Sequence, residues 1–366
     1  MVFSIEAKMP SFQGLPFELV ECIAESLCLH CTPRPSCQCS PRCVDVSPNS
    51  ICYTRRDVPS WDPKARSHAL GALCLTSRRL KDAAMRHLYH SPKTKRRWLL
   101  ARTLLRHPHL AQHVKTLYFP EFLDECEKSA IPSEVLSYYQ IQLDSYSKSM
   151  AEDERLERDN YIWEDYGIND LITMVASLCP MVEAVEAVVS YDIIFHLCPP
   201  ASLQSLHTAE LAYWDTENGM SLESLIPLFK AAPNLSVLRC RSVSDEGGED
   251  LGLTLATVAT VKQVEFFNSA MSADALRALL MAFPGLETFR YEAGGACVGY
   301  EQFNPSQARD LMMEHGWRLK RVAIDLVQAR GTWDFMENEW NDWDEKETEE
   351  VVKAFQERGM SFEVEF

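Results

Sequence analysis

The sequence predicts an α/β chain: a helical N-terminal module followed by an irregular solenoid of strand–helix units. Three observations carry that expectation. A short apolar spacing, two spacers and then one, recurs seven times from residue 114 onward. Several copies follow a helical segment ended by proline. The charge is also divided. The net is −17 overall, but residues 1–117 hold 18 Lys/Arg against 8 Asp/Glu, and residues 118–366 hold 18 against 45. Such asymmetry points to two regions with different partners.

Composition sets the outer bounds. The 366 residues are 46% hydrophobic and 24% charged, an ordinary globular mixture that can bury a core without disulfide staples. No apolar run approaches the roughly 18 residues of a membrane span. The opening MVFSIEAKMP carries Glu6 and Lys8 where a secretory signal would be apolar. A cytoplasmic or nuclear protein with no membrane partner is therefore expected. The acidic body argues against a large nucleic-acid footprint, because phosphate contacts need clustered Lys and Arg.

The first helix opens at Leu15-Pro16, since proline suits a helix start, where its missing N–H is an orphan anyway. Leu19, Ile23 and Leu27, joined by Val20, then form an apolar stripe. Residues 28–63 hold Pro33, Pro35, Pro41, Pro48, Pro59 and Pro63, and no helix or strand period survives that density of breakers. A second helical stretch is expected over about 64–90, with Leu70, Leu73, Leu80, Ala84 and Leu88 on one face and Ser91-Pro92 as its stop. A third runs over about 94–107, basic on one side and leucine-rich on the other.

The repeating texture begins at Val114-Leu117-Phe119. It continues as Val182-Val185-Ala187, Leu203-Leu206-Thr208, Leu235-Leu238-Cys240, Val261-Val264-Phe266, Leu286-Phe289-Tyr291 and Leu319-Val322-Ile324. The spacing is near that of leucine-rich repeats, though irregular. Neither a lone strand nor a lone helix can bury its apolar face, so stacking is what makes the core. A doubly wound α/β sheet is the alternative. The solenoid is preferred because no glycine-rich phosphate turn follows any strand. Residues 120–170 read as a polar, mostly helical insertion. Residues 331–366 read as an acidic cap: a Trp-bearing stretch, an amphipathic helix near 344–357, a stop at Gly359 and a final alternating strand.

Chemistry candidates are few. Of 13 cysteines, six fall between Cys28 and Cys52. In a reducing compartment a dense cluster reads as metal-binding before it reads as a disulfide framework. Cys28-x2-Cys31 is a ligand knuckle, and Cys37, Cys39 and Cys43 could complete a zinc tetrahedron. Free thiols in a loop are the competing reading, and disulfides a third. There is no nucleophile elbow, no paired-histidine zinc-protease motif and no phosphate loop, so no catalytic residue is expected. His107, His109 and His113 read as solvated or capping. Cys179, Cys198, Cys240 and Cys297 read as small apolar fillers. The basic run Lys93–Trp98 reads as the polar face of the third helix, with nuclear targeting as the alternative. The acidic stretch Trp333–Trp343 suits either a solvated cap or a surface for basic peptides.

The N-terminal helices resemble an F-box motif. The matching residues are Leu15-Pro16-Phe17-Glu18-Leu19, Ile23, Leu27, then Leu73 to Leu80 with Ser77-Arg78-Arg79-Leu80, and Leu88-Tyr89. The likeness extends over residues 11–117 to F-box proteins of filamentous fungi, with the Cys/Pro-rich segment inserted after the first helix. The resemblance implies helices over 11–92, a linker helix and leucine-rich-repeat-like solenoid over 93–330, and a non-catalytic role. That role is the substrate receptor of a cullin-RING (SCF-type) ubiquitin ligase. The receptor would dock on the Skp adaptor, and through it on the cullin scaffold, and would recruit a protein target with its repeats. By position, adaptor contact falls to Leu15, Pro16, Leu19, Val20, Ile23, Leu73 and Leu75. A repeat-based scaffold with a degenerate F-box and no ligase role is the alternative.

Overall fold

The computed structural model describes residues 15–28, 30–31, 63–94, 96–119, 131–148, 168–189, 194–215, 219–244, 258–294, 305–316, 318–325 and 352–365. The chain divides into two compact units. One is Met1–Lys93 with His113–Thr116, and the other is Thr94–Gln112 with Leu117–Phe366. Cys37, Cys39, Cys43 and the Trp333–Trp343 stretch lie outside the described residues.

The first unit is built from α1 (Phe17–Leu27), α2 (Pro63–Thr76) and α3 (Arg78–His90). Val20 packs with Leu80 and Ala83, and Ala24 packs with Leu70 and Ala84. The row Leu19–Ile23–Leu27 is therefore not the main packing stripe, and Leu19 is 50% exposed. Alanines at 24, 83 and 84 let the helix backbones approach closely, so the small-residue face goes inward. The single helix expected over about 64–90 is two helices. Ser77 adopts extended backbone (φ −159°, ψ 161°), and its hydroxyl accepts the Leu80 N–H at 3.3 Å. It is a helix N-cap set inside a run whose apolar period continues across it.

In the second unit, α4 (Arg97–Arg106) and α5 (Pro108–Ala111) lead into β1 (Thr116–Phe119). Helices α6 (Ser133–Ser147) and α7 (Ile168–Leu178) precede β2 (Ala184–Val189) and β3 (Thr208–Tyr213). Then come α8 (Ile226–Ala231), β4 (Val237–Arg241), β5 (Gln263–Ser269), α9 (Ala273–Ala282), β6 (Thr288–Ala293), α10 (Pro305–His315), β7 (Arg321–Asp325) and β8 (Ser361–Glu365). The eight strands follow one another across one sheet in chain order. Each pairing from β2 to β8 is parallel. The fold is thus α/β with a parallel sheet.

Register places Val185, Ala209, Leu238, Val264, Phe289 and Val322 in one inward row. Ala187, Leu211, Cys240, Phe266, Tyr291 and Ile324 form the next, and both rows are buried. Stacking equivalent side chains from successive strands is what makes the core continuous. Strands β2 to β7 are each entered by the same turn. The N–H groups of Val182, Leu206, Leu235, Val261, Leu286 and Leu319 donate to the carbonyls of Cys179, Leu203, Ala232, Val258, Phe283 and Gly316, at 3.0–3.4 Å. This corrects one repeat. Leu203 and Leu206 are the two ends of such a turn, and the strand spacing is Leu206-Ala209-Leu211.

Neighbouring units are joined just before their strands. The carbonyls of Glu183, His207, Ser236, Lys262 and Glu287 each accept two N–H groups from the next unit. The turns approach closely: a Cβ on Gly285 would collide with the Ala259 carbonyl oxygen. Near the end of the chain a helical stretch at 352–357 stops at Gly359. There a φ of +74° favours glycine, and the Met360 N–H donates to the Phe355 carbonyl. Among the described residues no helix is long and apolar enough to cross a membrane.

Candidate metal centre

Four donor side chains from the two ends of the first unit's helical path converge on one point. Cys28 is the C-terminal cap of α1, its N–H donating to the Glu25 carbonyl at 3.0 Å. Cys31 follows in the next turn. His87 and His90 lie three residues apart in the last turn of α3, a spacing that puts both rings on one helix face. The ligand atoms of all four lie within 4.8 Å of one another. Cys28 Sγ is 3.5 Å from His90 Nδ1. Cys31 Sγ is 3.3 Å from His90 Nδ1 and 3.6 Å from His87 Nδ1. In a tetrahedral centre with metal–sulfur bonds near 2.3 Å and metal–nitrogen bonds near 2.0–2.1 Å, the sulfur–nitrogen edge is about 3.5 Å. The side chains are therefore spaced as the edges of such a tetrahedron, and the cluster can hold a metal ion.

Electrostatics suit the same conclusion. Burial, reinforced by His87, His30, His113 and Lys115, lowers the His90 imidazole to about 4. Burial, with Arg86 beside it, also lowers His87. Both rings are thus neutral at physiological pH, the form that ligates. Burial and the neighbouring Cys28 push the Cys31 thiol up to about 12. A bound dication reverses that preference, since a coordinating thiol is deprotonated outright. Two thiolates and a dication sum to zero, so a loaded centre buries no net charge.

The groups around the ligands hold His87 in the tautomer with its proton on Nδ1 and pack against His90. Arg86 Nε donates to His87 Nε2 at 3.2 Å, and the same guanidinium pairs with Glu21 at 2.8 Å. The His30 ring meets His90 edge to face at 5.2 Å. The knuckle of Cys28 and Cys31 belongs to the predicted ligand set. His87 and His90 do not. Their signal was the paired histidines at helical spacing ahead of Ser91-Pro92, a natural complement to a cysteine pair.

The predicted docking residues are dispersed in their environments. Pro16 is exposed, as are Leu19 and, at 90%, Leu75. Ile23 is half-buried. Leu15 and Leu73 are half-buried against the Val20 cluster. Val20 itself is 1% exposed, a core residue packed with Leu80 and Ala83. Elsewhere, Arg97 departs from the expected solvated face of its helix: it is buried, with its guanidinium 5.2 Å from the Phe119 ring centroid. His107 and His109 are exposed. Cys179, Cys198 and Cys240 are buried in apolar surroundings, and burial raises all three thiols. Compared with models of known protein families this chain matches none, and none of the curated proteins searched matches it.

Proposed function

We propose that the first unit is a zinc-clamped helical docking module of F-box type. In this reading the chain is the substrate-recruiting subunit of a cullin-RING ubiquitin ligase. Zinc is the ion that two thiolates and two imidazoles in a tetrahedron select, since soft sulfur with borderline nitrogen is its usual set. The observation that carries the docking reading is the pair of exposed leucines on α1 and α2, Leu19 and Leu75, in a unit whose first helix opens with Leu15-Pro16. Exposed large apolar side chains at a helical surface are what a partner helix would cover.

The parallel strands supply the complementary half of the proposal, a leucine-rich-repeat-like surface for a protein target. Their outward row reads Glu186, Glu210, Arg239 and Arg290, with Glu265 in the same register but buried against Arg239. Phe267 lies beneath the guanidinium groups of Arg241 and Arg290, at 5.9 and 5.2 Å. A receptor of this kind performs no bond chemistry. It raises the effective concentration of target lysines near the charged conjugating enzyme.

Co-expression with a Skp adaptor and a cullin fragment, followed by size-exclusion chromatography, tests the reading. A stoichiometric complex that Leu15→Ala with Pro16→Ala abolishes would support it. A folded chain that forms no complex would sink it and leave a repeat scaffold.

A further inference from the structure

We infer that the metal holds α1 in its folded, leucine-presenting state, so that docking through this helix depends on metal. The partner side of this inference rests on the docking reading above; the effect on the helix does not.

Helix α1 has little of its own to hold it. It spans 11 residues, and isolated helices shorter than about 12–15 residues are marginal in water. Pro16 occupies its N-cap with no side-chain hydrogen bond to the orphan N–H groups. Its fully buried side chains are only Val20 and Ala24, packed largely on alanines and leucines of α2 and α3. Among its polar tethers, the Arg86–Glu21 pair is part-exposed, and Arg66 donates to the Ser26 carbonyl from an exposed position.

Against this, Cys28 and Cys31 at the C-terminal end of α1 meet His87 and His90 of α3, 56 to 62 residues further on in sequence. A metal across that gap closes a long loop in one step and removes much of the unfolded chain's freedom. It acts at the C-terminal end of the helix, where Cys28 is itself buried. The exposed Leu19 lies on the same short helix, so anything that frays α1 also removes the leucine from its presented position.

The test uses the full chain, loaded with zinc and then stripped with a chelator, with metal content measured in each state. Hydrogen exchange is followed at Phe17–Leu27, with β3 (Thr208–Tyr213) and β4 (Val237–Arg241) as internal references. Expected on stripping is exchange about tenfold or more faster in α1, with the reference strands unchanged. Adaptor binding is lost in parallel, and added zinc restores both. His90→Ala behaves like the stripped chain, whereas His90→Cys, which keeps four ligands, retains protection and metal. Unchanged α1 protection in a chain shown to be metal-free overturns the inference. Retained adaptor binding in that chain overturns it as well. If the zinc-loaded chain binds no adaptor, the docking reading falls, and the exchange at α1 still decides what the metal does to the helix.

Discussion

Cys28 Sγ lies 3.5 Å from His90 Nδ1, although 62 residues separate the two in the chain. That separation is the length of a sulfur–nitrogen hydrogen bond and equally of the edge between two ligands of one cation. Four donors complete a tetrahedron. Purified protein is therefore expected to carry about one zinc per chain, falling below about a tenth in Cys28→Ser, Cys31→Ser, His87→Ala or His90→Ala. Cys37→Ser, Cys39→Ser and Cys43→Ser retain it. Metal analysis of the seven variants checks the ligand set. Equal zinc in the first four and loss in the last three would hand the site to the cysteine-rich segment.

Arg86 should weaken the site it borders. Its Nε donates to His87 Nε2, which keeps the ring proton on Nδ1, the atom that faces the other ligands. Metal binding at Nδ1 moves that proton to Nε2, so the arginine must let go. Its positive charge also opposes a dication. Both effects have one sign. Arg86→Ala is expected to tighten zinc binding by about tenfold, measured by competition with a chromophoric chelator. Weaker binding would mean that Arg86 and Glu21 act chiefly by holding the ring in place.

The cysteine half of the centre was legible because two cysteines with two residues between them are a common ligand pair. The histidine half was hidden in the close of an amphipathic helix; His107 and His109, read as solvated or capping, are exposed with their rings edge to face at 5.9 Å. The strands were legible through their period of two: Leu235-Leu238-Cys240 and Leu286-Phe289-Tyr291 are buried as expected. The repeat at Leu203 slipped because the turn before each strand and the strand's own entry share a spacing of three. Ser77 went unseen as a helix boundary because Leu73, Leu80 and Ala84 keep the helical period across it. Nothing in the sequence marked the alanine face of α1 as the inner one, because burial there is decided by how closely two backbones can approach.

Phe289 tests the stacked core directly. It is fully buried on β6, edge to face with Phe266 at 6.5 Å between ring centroids. Truncation removes both the transfer energy of the ring and its packing against the neighbouring strands. Phe289→Ala is expected to cost about 3–5 kcal/mol in denaturant unfolding. A loss under about 1 kcal/mol would show that the strands around it collapse into the gap.

Glu265 is a charge inside the sheet. It is 1% exposed and is held by Arg239 at 2.9 Å, with the Gln263 amide as a further donor. Removing one partner leaves the other uncompensated. Arg239→Met is thus expected to destabilise the chain by about 3–5 kcal/mol. Arg239→Met with Glu265→Met should recover most of that, because an apolar pair of similar volume carries no desolvation cost. A double-mutant cycle in urea measures the coupling, and additive losses would show that the pair does not act as one.

Glu292 should make stability depend on pH in the opposite sense to a paired carboxylate. Burial raises its carboxyl above the ordinary value, and Asp325, its register partner on β7, raises it further; Arg241 and Arg290 only partly offset this. A carboxyl whose folded-state pKa is raised binds its proton more tightly in the native chain than in the unfolded one. Above both values it is ionised in both states, and the native state bears the full penalty. Below the unfolded value, about 4.3, it is protonated in both and the penalty is gone. Glu292→Gln is therefore expected to raise the thermal midpoint at pH 7, with the gain shrinking as pH falls through that range and vanishing below it. Melting curves of the two proteins across pH 3–8 decide the matter. A variant less stable at pH 7 would mean that the two arginines, rather than burial and Asp325, set the energy of this carboxylate.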